Sequence, residues 1–146
     1  MPPSRVCDVP IGHLHFIWPR ARGLLVKALD RGGGGRYAPA DILALLLAGA
    51  ARLWVSYDPD KKCIEAAILT QTIQHPQLKE LHIWLVGGSN MKAWAEEARD
   101  MIEAFARADG CAIISGGLRR GWIRIGGEGW HETGATFEKR LDGDAQ

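Results

Sequence analysis

The apolar residues of the N-terminal part of this chain recur at helical spacing. From Leu14 to Ala28 they fall three or four positions apart, which predicts a first helix that Asp8 caps and that ends by Asp30. Four consecutive glycines at 32–35 follow, and glycine is the residue that most readily enters a turn. We therefore expect a helix followed by a sharp change of direction.

A short second helix precedes a segment where the apolar period changes to two. Pro39 lies at a favourable first helical position, and this helix is expected to end near Gly49. Alternating apolar and polar residues then predict three strands, which turn residues separate closely enough to make them antiparallel. These strands are Leu53–Tyr57, Cys63–Ile73 and Leu78–Val86.

The most regular helical pattern follows the third strand. Residues 91–105 carry apolar side chains on one face and charged ones on the other, which predicts a long amphipathic helix. Ser89 or Asn90 is expected to cap its start and Gly110 its end. The apolar stretch Cys111–Ser115 is then a short strand, parallel to the third strand because a whole helix separates the two.

The C-terminal residues show weaker patterns. Arg119–Ile125 is typical of a short helix or a turn. Trp130–His131 and Thr136–Leu141 predict a final hairpin closed around Gly134, before a polar tail.

Length and element order together predict one α/β domain over residues 1–146. A chain of 146 residues can bury one core without disulfides or a structural metal. The order of elements gives a mixed, mainly antiparallel sheet with one parallel crossover pair, flanked by helices.

Charge and hydrophobicity exclude several classes of function. The 18 basic and 17 acidic side chains leave a net charge of +1, so nucleic acid is not an expected partner. The longest apolar run, Ile42–Ala51, is too short to cross a bilayer, and no signal-peptide pattern begins the chain. We expect a cytoplasmic protein without a membrane partner.

The three cysteines lie far apart in the sequence. Cys7, Cys63 and Cys111 form no Cys-x-x-Cys pair, so we expect no metal site. They are predicted to be buried thiols in a reducing compartment.

Several short motifs, most of them near the C-terminal end, add to the order of the elements. They are Gly110-Cys111-Ala112-Ile113-Ile114, Gly121-Trp122, Gly129-Trp130 and Phe137-Glu138-Lys139, together with Trp18-Pro19 and Leu53-Trp54-Val55. With this element order they resemble the GNAT superfamily of N-acetyltransferases over nearly the whole chain. The likeness is sharpest at the C-terminal end, and it extends to small GNAT-like proteins encoded by bacteriophages.

The resemblance implies an acetyl-CoA site at the start of the long helix. In the superfamily, a loop reading Arg/Gln-x-x-Gly-x-Gly/Ala offers backbone N–H groups to the pyrophosphate. The matching stretch here begins at Gly88, where only Ala93 agrees and Met91 replaces the central glycine. An ordinary capped strand-to-helix turn is the alternative. The expected cofactor-binding residues are Val86, Gly87, Gly88, Ser89, Asn90 and Lys92.

The resemblance also implies a carboxylate base on the strand before that helix. Glu80 fits this position, and strand alternation places His82 and Trp84 on the same face. Leu81, Ile83 and Leu85 are expected on the opposite face. A solvated polar face is the alternative, and the family's acidic tyrosine maps to Ile125, which cannot donate a proton.

Two functions from different classes remain open. The first is an acyl-CoA-dependent N-acyltransferase, with Glu80 and His82 catalytic and a small-molecule or protein amine as acceptor. The second is a non-catalytic GNAT-fold interaction or virion-associated protein of a bacteriophage, which binds a protein partner or itself through exposed tryptophans. Loss of the glycine motif favours the second, and the strand carboxylate favours the first.

Overall fold

A five-stranded sheet forms the centre of the fold. The computed structural model describes residues 5–32, 35–117 and 127–142. Within these residues the strand order is β1-β2-β3-β4-β5; the first four strands pair antiparallel, and β4 and β5 pair parallel. This confirms the predicted mixed sheet with one parallel pair. The strands are β1 Val6–Asp8, β2 Arg52–Asp58, β3 Cys63–Gln74, β4 Lys79–Gly88 and β5 Ile113–Gly116.

Helices cover both faces of the sheet. The helices are α1 Leu14–Gly32, α2 Pro39–Leu47 and α3 Met91–Ala108, with a short 3₁₀ helix at Ile11–His13 before α1. Pro39 begins α2 as the sequence predicts. None of the described helices is long and apolar enough to cross a membrane.

Two apolar clusters hold these layers together. Leu53, Val55 and Leu69 point to one face of the sheet and pack against α1 and α2, whereas Trp54 and Ile68 point to the other face and pack against α3. Successive side chains of β2 and β3 point into different cores, and for this reason both strands carry apolar residues on both faces. The fully buried Trp54 donates from its indole nitrogen to the Thr70 hydroxyl at 3.0 Å, which satisfies its polar atom.

Glu65 is a carboxylate buried to 5% exposure that ties the N-terminal segment to the centre of the sheet. The Arg5 guanidinium donates to both of its oxygens, at 2.5 and 3.1 Å, and the Ser56 hydroxyl donates at 2.7 Å. The side-chain amide of Asn90 adds a fourth hydrogen bond at 3.1 Å. These donors hold the pKa of Glu65 below its usual range, with the Arg5 hydrogen bond as the largest cause.

A bulge in β4 breaks the alternation that the sequence predicts. Leu85 pairs with Leu69 and Ile83 pairs with Thr70, so Trp84 is an extra residue on β4. Past the bulge, Leu85 packs in the α1 and α2 cluster, whereas Ile83 packs against α3 with Leu81. The prediction that Leu85 shares a face with Leu81 and Ile83 is therefore wrong.

Other local predictions also differ from the structure. Asp8 lies in β1, where its carboxylate accepts two hydrogen bonds from Arg52 at 2.8 and 3.0 Å, so it does not cap α1. The ion pair with Arg52 outweighs the capping preference of an isolated aspartate. Helix α1 runs two residues beyond Asp30, to Gly32, and contains Pro19.

The predicted C-terminal hairpin is not formed. Residues 127–142, which include Trp130–His131 and Thr136–Leu141, contain no strand. Phe137 and Leu141 are 91% and 87% exposed, so this segment has no buried apolar face to fix a strand register. The predicted turn or helix at Arg119–Ile125 lies outside the described residues.

The prediction of buried thiols is wrong for two cysteines. Cys7 and Cys63 are exposed and Cys111 is partly buried. Cys7 lies on the edge strand β1 and Cys63 is the first residue of β3, beside a turn, so neither position is covered by a helix.

At Gly87 the backbone of α1 lies close against the sheet. A Cβ added there would collide with the Leu24 carbonyl, whereas a Cβ at Gly23, one residue earlier on α1, meets nothing within 4 Å. We expect Gly87→Ala to destabilise the fold by about 2–3 kcal/mol through overpacking, and Gly23→Ala to stabilise it by about 0.5 kcal/mol through helix propensity. Urea unfolding measures the free energy of unfolding of both variants. Equal values for the two would contradict the close contact between Gly87 and the Leu24 carbonyl.

Glu65 gives a pH-dependent prediction. Because its pKa is lowered in the folded state, its stabilisation is present above the unfolded-state pKa and is lost as pH falls through the folded-state pKa. We expect Glu65→Gln to reduce the free energy of unfolding by about 2 kcal/mol at pH 7, less than a fully buried pair because Arg5 is 25% exposed. The difference from the parent should shrink at pH 3.

The matched control for Glu65→Gln is Glu103→Gln. Glu103 forms an exposed pair with Arg107 on α3, so its loss should change stability by at most about 0.5 kcal/mol. Urea titrations at both pH values measure the effect. If Glu65→Gln lowers the free energy of unfolding by the same amount at pH 7 and at pH 3, the ion pair is not the cause of the loss.

Candidate functional site

Four polar side chains meet where β4 and β5 run side by side. Glu80 and His82 come from β4, and Ser115 is the direct partner of His82 across the parallel pair. The Ser115 hydroxyl donates to Glu80 Oε2. His82 Nδ1 lies 2.9 Å from Ser115 Oγ, and His75 Nε2, from the turn before β4, lies 2.7 Å from Glu80 Oε1. We call these four residues the β4/β5 cluster.

The Glu80 carboxylate is shielded but reachable. Its side chain is 19% exposed and that of His75 is 43% exposed. The Ser115 hydroxyl, followed by His75, holds the pKa of Glu80 below its usual range. Glu80 is therefore ionised at neutral pH and acts as an acceptor at both oxygens.

The β4/β5 cluster lies on a part of the sheet that the described helices leave open. On β3, Gln71 pairs with His82, and Ile73, which is 37% exposed, pairs with Glu80. Further along β4 the Trp84 ring is covered by Tyr37 from the α1–α2 connection, with ring centroids 4.6 Å apart at 69°. The cluster thus lies beside the packed Trp84 and Tyr37 rings and a partly exposed part of β3, which suits a small polar substrate.

The turn from β4 into α3 is fixed by three hydrogen bonds. The Ser89 amide donates to the Glu65 carbonyl at 2.9 Å, and the Trp94 indole donates to the Ser89 carbonyl at 2.8 Å. The third is the Asn90 amide on the Glu65 carboxylate. Asn90 precedes α3 with a left-handed backbone, φ +58°, and its side chain makes no cap. Asn90 is the N-cap residue, one of the two predicted alternatives, but it provides no side-chain cap because its side-chain amide donates to the Glu65 carboxylate.

The start of α3 retains the features of an anion site. The N–H groups of Asn90, Met91 and Lys92 donate to no backbone acceptor in the described part of the chain, as is usual for the first turn of a helix. Lys92 is exposed beside them. The Met91 side chain packs into the α3 cluster. Met91 therefore does not project its bulk over the helix end.

The other expected cofactor-binding residues differ in availability. Gly87 lies under α1, and Gly88, with φ +141°, lies against the Glu65 carbonyl and Ala66 on β3. The Ser89 amide is already paired with Glu65. Val86, by contrast, lines a groove of about 1130 Å³ between α3, β5 and residues 127–134. Val86, Asn90 and Lys92 are thus the predicted residues that remain open to a ligand.

The groove runs along β5 and extends past the point where the parallel strands stop pairing. The last pair of the β4–β5 ladder is Ile83 with Gly116, directly before the bulge at Trp84. Beyond it, the rest of β4 pairs with β3 but has no β5 partner among the described residues. Ile83 and Ser115 line the groove at this point. Glu80 and His82 alternate with Leu81 and Ile83, so they lie on the opposite face of β4 from the groove, which Ser115 lines.

Sequence reasoning named two members of the β4/β5 cluster and missed two. Glu80 and His82 were expected on one face, and the structure brings them together. His75 served only as a strand break in the sequence, and Ser115 only as the end of an apolar strand. Aligning the predicted parallel strands would have placed Ser115 beside His82. In the described part of the chain, no group of His, Cys, Asp or Glu side chains is arranged to hold a metal ion.

Comparisons with known proteins match the fold but not the sequence. No family model matches this chain, and no curated protein matches it. A probable acetyltransferase of solved structure superposes with a TM-score of 0.69 at 10% identity, over 95% of this chain and 99% of that chain. An aminoglycoside acetyltransferase from an uncultured soil metagenomic sample, solved with sisomicin, gives 0.68 at 9% identity, over 94% and 95%.

A third solved structure carries the family name. A GNAT family acetyltransferase from Staphylococcus aureus superposes with a TM-score of 0.62 at 12% identity, over 93% of this chain and 97% of that chain. At such identities the likeness concerns the fold. The chain therefore has the fold of GNAT-type acetyltransferases.

Proposed function

We propose that this protein is an N-acyltransferase that transfers an acyl group from acyl-CoA to an amine. The observation that carries the proposal is the position of the β4/β5 cluster. The Ser115 hydroxyl bridges the ionised Glu80 carboxylate and the His82 imidazole. Ser115 also lines the groove, one residue before the last pair of β4 with β5. That arrangement supplies charge and a proton acceptor where two substrates would meet.

The acyl donor would be held along β4 and at the start of α3. The N–H groups of Asn90, Met91 and Lys92, which donate to no backbone acceptor among the described residues, and the charge of Lys92 suit a pyrophosphate. Val86, which precedes them on β4, lines the groove. When bound, acetyl-CoA supplies an acyl group activated as a thioester. The Ser89 amide takes no part in this site, because it donates to Glu65.

The acceptor amine would bind on the open face of the sheet. The ionised Glu80 attracts a cationic amine, and His82 stands beside it on the same strand. The amine-bearing ligand in the solved aminoglycoside acetyltransferase supports an amine acceptor in general terms. A small-molecule amine or a protein amine satisfies these contacts equally.

A non-catalytic role is the second candidate. It is favoured by the internal use of the Ser89 amide and by Met91 in place of a motif glycine. Exposed tryptophans were expected to carry it, yet Trp54 and Trp94 are buried and Trp18, Trp84 and Trp130 are partly buried; Trp122 lies outside the described residues. Bacteriophage origin and a cytoplasmic location stay predictions from the sequence.

Lys92 tests donor binding. In calorimetric titrations with acetyl-CoA, Lys92→Glu should weaken binding by about tenfold, because it reverses a charge at the start of α3. The matched control is Lys27→Glu, which makes the same change of charge at an exposed position of α1 that does not line the groove. Equal affinities for the two variants would place the pyrophosphate elsewhere, and no binding by the parent would favour the non-catalytic role.

Glu80 tests the acceptor side. With a panel of primary amines that includes sisomicin and lysine peptides, Glu80→Gln should lower kcat/KM by about 100-fold and leave acetyl-CoA affinity unchanged. Release of free thiol from acetyl-CoA measures the rate. Glu96→Gln, at an exposed position of α3 that does not line the groove, is the control. A Glu80→Gln enzyme with the parental rate would contradict a role for the cluster.

A further inference from the structure

We propose that His82 takes the amine's proton at Nε2, and that Ser115 is the positioning residue that fixes the imidazole in the tautomer able to do so. This inference rests on the proposed acyltransferase function and assigns separate roles within the β4/β5 cluster. Glu80 then supplies a fixed negative charge, and Ser115 transmits it to the ring.

The tautomer follows from counting hydrogens on Ser115. A serine hydroxyl has one proton to donate and two lone pairs to accept with. The ionised Glu80 carboxylate only accepts, so the Ser115 proton lies in the bond to Glu80 Oε2. The contact of 2.9 Å between Ser115 Oγ and His82 Nδ1 is then a hydrogen bond only if Nδ1 carries a proton. A neutral His82 therefore has its free lone pair on Nε2.

Glu80 is less suited to take the proton itself. Both of its oxygens already accept a hydrogen bond, Oε2 from Ser115 and Oε1 from His75 Nε2 at 2.7 Å. These contacts stabilise the charged carboxylate and lower its pKa, which makes it a weaker base. The same charge stabilises an imidazolium that forms on His82, through the bridging hydroxyl.

The surroundings leave His82 accessible to a substrate. Its side chain is partly buried, and its cross-strand neighbour on β3 is the uncharged Gln71. The titratable groups that share the cluster with it are Glu80 on β4 and His75 in the β3–β4 turn, and the Ser115 hydroxyl lies between its ring and Glu80. Tyr37 packs on the neighbouring Trp84 from the α1–α2 connection. The negative charge of Glu80 is thus separated from the ring by one hydroxyl.

The proton balance of the step is simple. A bound ammonium first releases one proton to solvent, which leaves a neutral amine with a lone pair on nitrogen. That lone pair forms a bond to the thioester carbonyl carbon, and the carbon–sulfur bond breaks with its electron pair on sulfur. The proton that the nitrogen loses passes to His82 Nε2 and gives an imidazolium. That imidazolium returns one proton to the departing thiolate, so His82 ends neutral and no other reactant is needed.

Nitrogen-15 NMR of the histidine rings tests the tautomer without any substrate. The His82 signals are assigned from their loss in His82→Asn, and the spectra are taken at a pH where the ring is neutral. We expect the Nδ1-protonated form in the parent and in Ser115→Thr, which keeps a hydroxyl, and a shift toward the Nε2-protonated form in Ser115→Ala. An Nε2-protonated parent, or no change in Ser115→Ala, would overturn the proposal even if acetyl-CoA binds.

Kinetics test the role of Ser115 separately from the fold. Ser115→Ala should lower kcat by about tenfold to 100-fold with the KM for acetyl-CoA unchanged, and Ser115→Thr should recover most of the loss. An equal loss in Ser115→Thr and Ser115→Ala, or an acetyl adduct on Ser115, would overturn the positioning role.

Discussion

The ion pair between Glu65 and Arg5 is a constraint on which several parts of the fold depend. Glu65 binds the N-terminal segment through Arg5, β2 through Ser56 and the start of α3 through Asn90. Its own carbonyl also holds the Ser89 amide. Because a buried carboxylate is costly when unpaired, its four donors must be present together. The turn that begins α3, and with it the candidate pyrophosphate site, is therefore set by a residue on β3.

The bulge in β4 determines which side chains of this strand face α1 and α2 and which face α3. One extra residue at Trp84 moves Leu85 onto the α1 and α2 side, immediately after the last pair with β5. The strand before the bulge presents Glu80 and His82 beside Ser115, and the strand after it leads to the start of α3. A single strand thus carries both halves of the proposed site.

Local pattern predicted the order of the elements from α1 to β5, the start of α2 at Pro39 and the shared face of Glu80 and His82, because these depend on periodicity over a few residues. It missed what depends on distant partners. Arg5 and Glu65 are 60 residues apart, and Ser115 and Glu80 are 35 apart. Asp8 and Asn90 both have residue types that favour capping, yet each is held by a partner on another element. The bulge leaves no local signal, since Trp84 and Leu85 fit either face.

We propose that β4 leads into an acyl-donor site at the start of α3 and carries a proton acceptor beside β5. Backbone amide shifts of the labelled protein on addition of acetyl-CoA test this most directly. We expect the largest backbone amide shifts at Asn90, Met91 and Lys92, with further shifts at Val86 and Ser115. Shifts confined to other surfaces, or no shifts at millimolar acetyl-CoA, would contradict it.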